Sequence, residues 1–348
     1  MRARLFGFDR LPAPWGGLTI RSYQPGDEHE ILATFNRVFA RIDVTFRPRT
    51  LGFWRWRFLE NPSGSSILLA VTEDGKVAGQ LASINQRMRM DGASTYFSQG
   101  VDQMTAPEVN QGLRRGNLVG VFNNTFQRLH AGERPDQHSL GWGTPVPTAW
   151  RSGKSFARYQ IVRTQLKLRA APGEIAVGPA GGVALEEVRA FPEDVVELFE
   201  RCTALHAAIA VRDKAQLDWR WVAHPEKRAR IVLARRGGEL LGYAVLVRGD
   251  FDGERDLALV ADHLVAPREP AATAALLGWL ADCARDEGLA QVTTILPDSA
   301  PEWLDFQSAR FRVAPTRYFF IGKQYRRAYD VRWMNRHWYY TLGDTDLV

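Results

Sequence analysis

The chain has 348 residues, 45% hydrophobic and 24% charged, which excludes an intrinsically disordered protein and is long enough for two domains, each with its own core. The formal net charge of +6 comes from dispersed Lys and Arg rather than from a basic run, so a phosphate-bearing small molecule is the expected anionic partner and nucleic acid is not. No apolar run approaches the roughly 20 residues that span a bilayer, and the start has no apolar signal segment. The two cysteines, Cys202 and Cys283, give neither a disulfide framework nor a metal spacing. A cytoplasmic protein with no metal and no membrane span is expected.

In chain order, residues 18–23 alternate as a strand. Residues 26–41 place Ile31, Leu32, Phe35, Val38 and Phe39 at helical spacing. Residues 66–90 read as two strands joined by the Asp74–Gly75 turn, and 94–106 as a further strand. Residues 116–130 read as a helix with Leu118, Phe122, Phe126 and Leu129 on one face. A strand follows at 138–143, a short helix at 147–154, and a strand over 156–169. This order is an α+β layout, a mixed sheet with flanking helices. The Gly-, Pro- and Ala-rich stretch 169–184 reads as a linker. After it the order recurs: strand, helix, hairpin, strand, a helix over 270–286, strand.

The recurrence extends to residues. "WRFLENP" at 56–62 matches "WRWVAHP" at 219–225, an offset of 163 (219 − 56), and that offset carries Gly75 and Gly79 onto Gly238 and Gly242. "VDQMTAP" at 101–107 matches "ADHLVAP" at 261–267, an offset of 160, with Asp102 on Asp262 and Pro107 on Pro267. Ordered matches at a near-constant offset imply two tandem units, 1–170 and 183–348. Trp54, Trp56, Trp219 and Trp221 read as core residues.

"WRFLENP", the hairpin "LLAVTEDGKVAGQLA", "VDQMTAPEVNQGLRRGNLVGVF" and "GWGTPVPTAWRSGKSF" together resemble the Gcn-related N-acetyltransferase (GNAT) superfamily in tandem form. The tail "WYYTLGDTDLV" resembles acyltransferase-fold proteins linked to surface polysaccharide synthesis. The resemblance implies an N-acyltransferase that uses acetyl-CoA or another acyl-CoA as co-substrate, with a small-molecule or glycan amine, such as an amino sugar, as acceptor.

Carried onto this chain, the family's pyrophosphate loop falls on Gln111, Gly112, Leu113, Arg114, Arg115, Gly116 and Asn117. Amides at a helix start and glycines that let the backbone approach an anion suit that role. Gln111 takes the family's Arg/Gln position and Gly116 its last glycine, whereas Arg114 replaces the middle glycine. Gln103, Met104 and Thr105 would pair their backbone with the pantetheine arm. The family's leaving-group tyrosine is missing from its short helix, where Trp150 and Arg151 stand. Tyr159, just downstream, is the remaining donor candidate. Base candidates are Asp102, Glu108 and His138, although the match to Asp262 also fits a structural role for Asp102. Trp142 and Trp150 are the candidates for substrate contact. The second unit lacks the loop, since no glycine follows "ADHLVAP" until Gly278, and is expected to be degenerate. Two alternatives stay open: a catalytically inactive binding or accessory protein, and an aminoacyl-tRNA-dependent aminoacyltransferase of the peptidoglycan type.

Overall fold

The computed structural model describes residues 7–42, 46–109, 118–145, 150–151 and 153–348. The chain divides into two compact units. The first holds Met1–Arg87, Thr95–Ile161 and Ile321–Asp330; the second holds Met88–Ser94, Val162–Phe320 and Val331–Val348. The division therefore departs from a single cut between residues 170 and 183. Most of the strand after Ile161 goes with the second unit, and a segment near the end of the chain goes with the first.

The first unit runs β1 (Ala13–Trp15), β2 (Leu18–Ser22), α1 (Asp27–Ile42), α2 (Leu51–Phe58), β3 (Ser65–Val71), β4 (Val77–Met90), β5 (Ala93–Thr105), α3 (Leu118–His130), β6 (His138–Gly143) and the start of β7 (Gln160–Ala170). Its sheet has the order β1-β2-β3-β4-β5-β6. β6 is followed by Ile321–Gln324, which pairs antiparallel with it. β5 and β6 are parallel. Acidic Asp27, Glu28 and Glu30 open α1 and Arg41 closes it, which suits the helix dipole. Ile31, Phe35 and Val38, spaced four and three apart, form its buried face. On α3, Leu118, Val121, Phe122 and Phe126 pack on Leu18, Ile20, Leu68, Ala70 and Leu81. The sequence reading missed α2: "WRWRF" has no helical period, because Trp54 and Trp56 are both buried.

The second unit continues with β8 (Ala184–Val188), α4 (Val195–Cys202), β9 (Ala208–Ala210), α5 (Lys214–Leu217, extended by a π turn over Asp218–Val222), β10 (Ala229–Arg236), β11 (Glu239–Phe251), β12 (Glu254–Val265), α6 (Pro270–Asp286), β13 (Val292–Thr294), α7 (Pro301–Ser308), β14 (Arg312–Gln324), α8 (Val331–His337) and β15 (Trp338–Tyr339). β12 and β13 pair in parallel, as do β9 and β15. Among the described residues no helix is long and apolar enough to cross a membrane, and no group of three His, Cys, Asp or Glu is placed to hold a metal.

The same local devices occur in both units at or near the sequence offsets of 160 and 163. Thr50 Oγ1 caps α2 by accepting from Phe53 N at 3.1 Å, and Asp213 Oδ1 caps α5 by accepting from Gln216 N at 2.9 Å. Asn61 Oδ1 accepts from Ser63 N at 2.9 Å, and His224 Nδ1 from Glu226 N at 3.1 Å. Arg49 pairs with Asp102, and Arg212 with Asp262 at 3.4 Å. A Cβ on Gly79 would lie 2.7 Å from Leu118 Cδ2 and 3.4 Å from the Met104 carbonyl; one on Gly242 would lie 3.3 Å from Leu276 Cδ1 and 2.9 Å from the Leu264 carbonyl. In each unit a helix side chain is seated against a bare glycine of the sheet.

Candidate functional site

In the first unit β5 and β6 pair from Tyr96↔His138 to Gln99↔Trp142, and among the described residues not beyond. Glycines stand at the fork. A Cβ on Gly143 would lie 3.3 Å from the Gly100 carbonyl, and one on Gly100 would lie 3.7 Å from the Trp142 carbonyl. Past the fork β5 stays with β4: Ala106 N donates to the Ala78 carbonyl at 2.8 Å, and Gln80 Nε2 to the Asp102 carbonyl at 3.0 Å. Asp102 has a left-handed φ of 52°, a conformation L-residues adopt only when their surroundings impose it. Beyond the fork, β5 turns an edge of backbone groups away from β6, beside the start of α3.

The two candidate bases on β5 and β6 stand at opposite ends of the site. The Asp102 carboxylate is buried between Arg49 and Arg57, the latter at 3.9 Å, so its lone pairs serve two guanidiniums. His138 opens β6, on the first paired rung, three rungs from the fork. It is 5% exposed and stacks on Phe126 at 5.5 Å and His130 at 5.9 Å, with Nδ1 unpartnered among the described residues. Burial, with a smaller push from His130, lowers its pKa to about 4. Glu108 is exposed and faces Arg37 at 3.6 Å and Arg41 at 3.9 Å.

Of the pantetheine-strand residues, Gln103 is exposed, Met104 buried and Thr105 half-buried, as alternation along a strand dictates. Gln111, Gly112, Leu113, Arg114, Arg115, Gly116 and Asn117 lie outside the described residues. Trp142 is 1% exposed, and its indole N–H donates to Gln86 Oε1 at 2.9 Å; this ring belongs to the core rather than to a substrate wall. Trp150 is half-buried on a helical turn.

Tyr159 closes the loop after β6. Its N–H donates to the Gly153 carbonyl at 3.3 Å, following Arg158 at φ 61°. Its hydroxyl makes only a long 3.5 Å contact with Asn123 Oδ1 on α3. Burial pushes its pKa up to about 12, so it keeps its proton across the neutral range. Sequence reasoning missed the residues that face it from Ile321–Asp330. Lys323 is the register partner of Gly141, and the Tyr325 hydroxyl lies 2.6 Å from where a Gly141 Cβ would stand. These residues come about 180 positions after β6, so no local spacing announces them.

In the second unit the corresponding fork is filled. β12 and β13 pair at Ala258↔Val292 and Leu259↔Thr293. Beyond that rung the Tyr339 hydroxyl donates to the His263 carbonyl at 2.5 Å and the Thr341 hydroxyl to Asp262 Oδ1 at 3.0 Å. Asp344 Oδ2 takes the buried Arg212 guanidinium at 2.6 Å. Arg220 donates to the carbonyls of Gly343, Thr345 and Val348 at 2.8–3.0 Å. The aromatic Gly-Asp tail is thus a docked element of this unit.

No family model and no curated protein matches the sequence. Solved structures do match. A probable N-acyltransferase from Enterococcus faecalis V583 aligns over 91% of this chain and 73% of its own, with a TM-score of 0.62 at 12% identity. A GCN5-related N-acetyltransferase from Anabaena variabilis aligns over 89% and 73%, with 0.64 at 13%. The Saccharomyces cerevisiae N-myristoyltransferase with bound myristoyl-CoA aligns over 90% and 83%, with 0.55 at 11%. At these identities the likeness is one of fold: a GNAT-like mixed sheet with flanking helices.

Proposed function

We propose that the chain is an acyl-CoA-dependent N-acyltransferase whose first unit carries the site and whose second is a degenerate tandem copy. The carrying observation is the fork after Gln99 and Trp142, glycine-lined and next to the start of α3, with a desolvated tyrosine hydroxyl nearby. The residues fit a thioester arm. The edge of β5 beyond Gly100 offers backbone groups to the amides of pantetheine, and the bare glycines leave room where the strands part. Gln111 to Asn117, at the approach to α3, would hold the pyrophosphate.

In the reaction the acceptor amine attacks the thioester carbonyl. The C–N bond forms, the C–S bond breaks, and the sulfur leaves as thiolate. Tyr159 supplies the proton to that sulfur, since its hydroxyl is protonated at neutral pH and only weakly held by Asn123. The amine's surplus proton leaves to solvent. Asp102 and its arginine pair position β5 at the fork. The acceptor is a bulky small-molecule amine, with amino sugars the first class to test, and the protein is expected to work in the cytoplasm.

Titration calorimetry with CoA and acyl-CoAs tests the reading. The expected result is saturable micromolar binding, and a Tyr159→Phe variant that binds as tightly but turns over at least ten times more slowly, as loss of a general acid predicts. No binding at millimolar CoA would leave the non-catalytic accessory role as the better account.

A further inference from the structure

Resting on the acyl-transfer reading, we propose that the acyl group carries a carboxylate at its far end, a dicarboxylic monothioester of the succinyl class, received by Lys323 and Tyr325. The register fixes the geometry. Ile321 pairs with Gly143 at the fork and Lys323 with Gly141, two residues below, about 7 Å at the rise of a strand. Paired residues point to one face of a sheet, and so do residues two apart. Lys323 and Tyr325 therefore share the face to which a Gly141 Cβ would point, where the Tyr325 hydroxyl and, 3.4 Å away, Ser98 Oγ lie. Gly141 has no side chain there, so the Tyr325 hydroxyl comes in over the strand.

What converges below the fork is a set of donors without acceptors. Lys323 has no ion pair among the described residues, nor has Arg158 beside it. The nearby Asp9 is engaged by Arg128 at 2.8 Å. The Tyr325 hydroxyl has no hydrogen-bond partner among the described residues. The side chains of Lys323 and Tyr325 are half-buried, so they reach solvent rather than lie sealed in core. Burial, then the charge of Arg158, lowers Lys323 to about 8, and burial raises Tyr325. An alkyl chain laid against these groups would leave an ammonium and a hydroxyl desolvated and unpaired, whereas a carboxylate would take a charge-assisted bond from each. The fork fixes the thioester end, so the groups below it meet the distal end of the acyl group.

The test is calorimetry on the full chain at pH 7 with CoA, acetyl-CoA, succinyl-CoA and myristoyl-CoA. Succinyl-CoA should bind at least about tenfold more tightly than acetyl-CoA, the size expected of hydrogen bonds to a charged group. In Lys323→Met the preference should fall below about twofold, and in Tyr325→Phe, which keeps the ring, it should fall by about threefold. If Lys323→Met fails to bind even CoA, the Tyr325→Phe result decides. Equal affinity for succinyl-CoA and acetyl-CoA, or a preference that survives both substitutions, overturns the proposal while leaving acyl transfer intact. If CoA and all its thioesters fail to bind, acyl transfer falls and this proposal with it.

Discussion

Lys323 is an amine whose surroundings do not offset its charge. Its pKa lies near 8 rather than 10.5, so between those values the unfolded chain holds more protons than the folded one, and stability rises with pH across that window. Lys323→Met is therefore expected to melt above the parent at pH 7, with the excess shrinking as pH passes from 8 to 10.5; equal melting points at pH 7 would show that the amine is compensated. A group that costs stability where it stands is a mark of a site rather than a scaffold. His138 gives the same slope in a lower window. Its pKa is lowered from 6.5 to about 4, so the folded state resists a proton that the unfolded state accepts. Stability is full above pH 6.5 and is lost as pH falls through 4, by about 3 kcal/mol at 1.36 kcal/mol per unit. His138→Phe should flatten the fall of melting temperature over that range relative to the parent.

At the scale of elements, the sequence was most legible where the chain repeats itself. Period and turn chemistry predicted β6 over 138–143 and the helix over 270–286 at the bounds observed. The glycine matches at 79 and 242 mark the same seat for a helix side chain. What periodicity could not reach was made by contacts distant in sequence. The alternate spacing of α2's tryptophans, Trp54 and Trp56, hides a helix buried on two sides. The helix predicted after the first strand of the second unit stops at Cys202, because the chain must turn to enter β9. The tail is a further case. A Cβ on Gly343 would lie 2.4 Å from Trp221 Cζ2 and 3.0 Å from the Ala261 carbonyl. Gly343→Ala is expected to cost about 1–3 kcal/mol, the range for overpacking a filled core, which denaturant melts would measure. A neutral result would mean that Trp221 moves aside at little cost.

At the scale of the whole molecule, the second fork is already occupied by Tyr339, Thr341 and Asp344, while the first has no strand pairing beyond Gln99 among the described residues. The expectation is one equivalent of acyl-CoA per chain, and a calorimetric stoichiometry of two would refute it. The missing loop glycines of the second unit point to that asymmetry, but no motif shows what fills its fork. The tail that fills it lies about 80 residues after the strand it meets, and Lys323 and Tyr325 reach the first unit from an equally late position.

The assignment of Ile321–Asp330 to the first unit sets an order of assembly. A ribosome delivers the chain from its N-terminus, and domains ordinarily fold as they emerge. This first unit cannot: the strand that borders β6 is made about 180 residues after β6 itself. Until then β6 presents a bare edge, open to pairing with another nascent chain. The first unit waits for a segment made after most of the second, so a truncation at residue 170 should yield an aggregating fragment rather than a small acyltransferase.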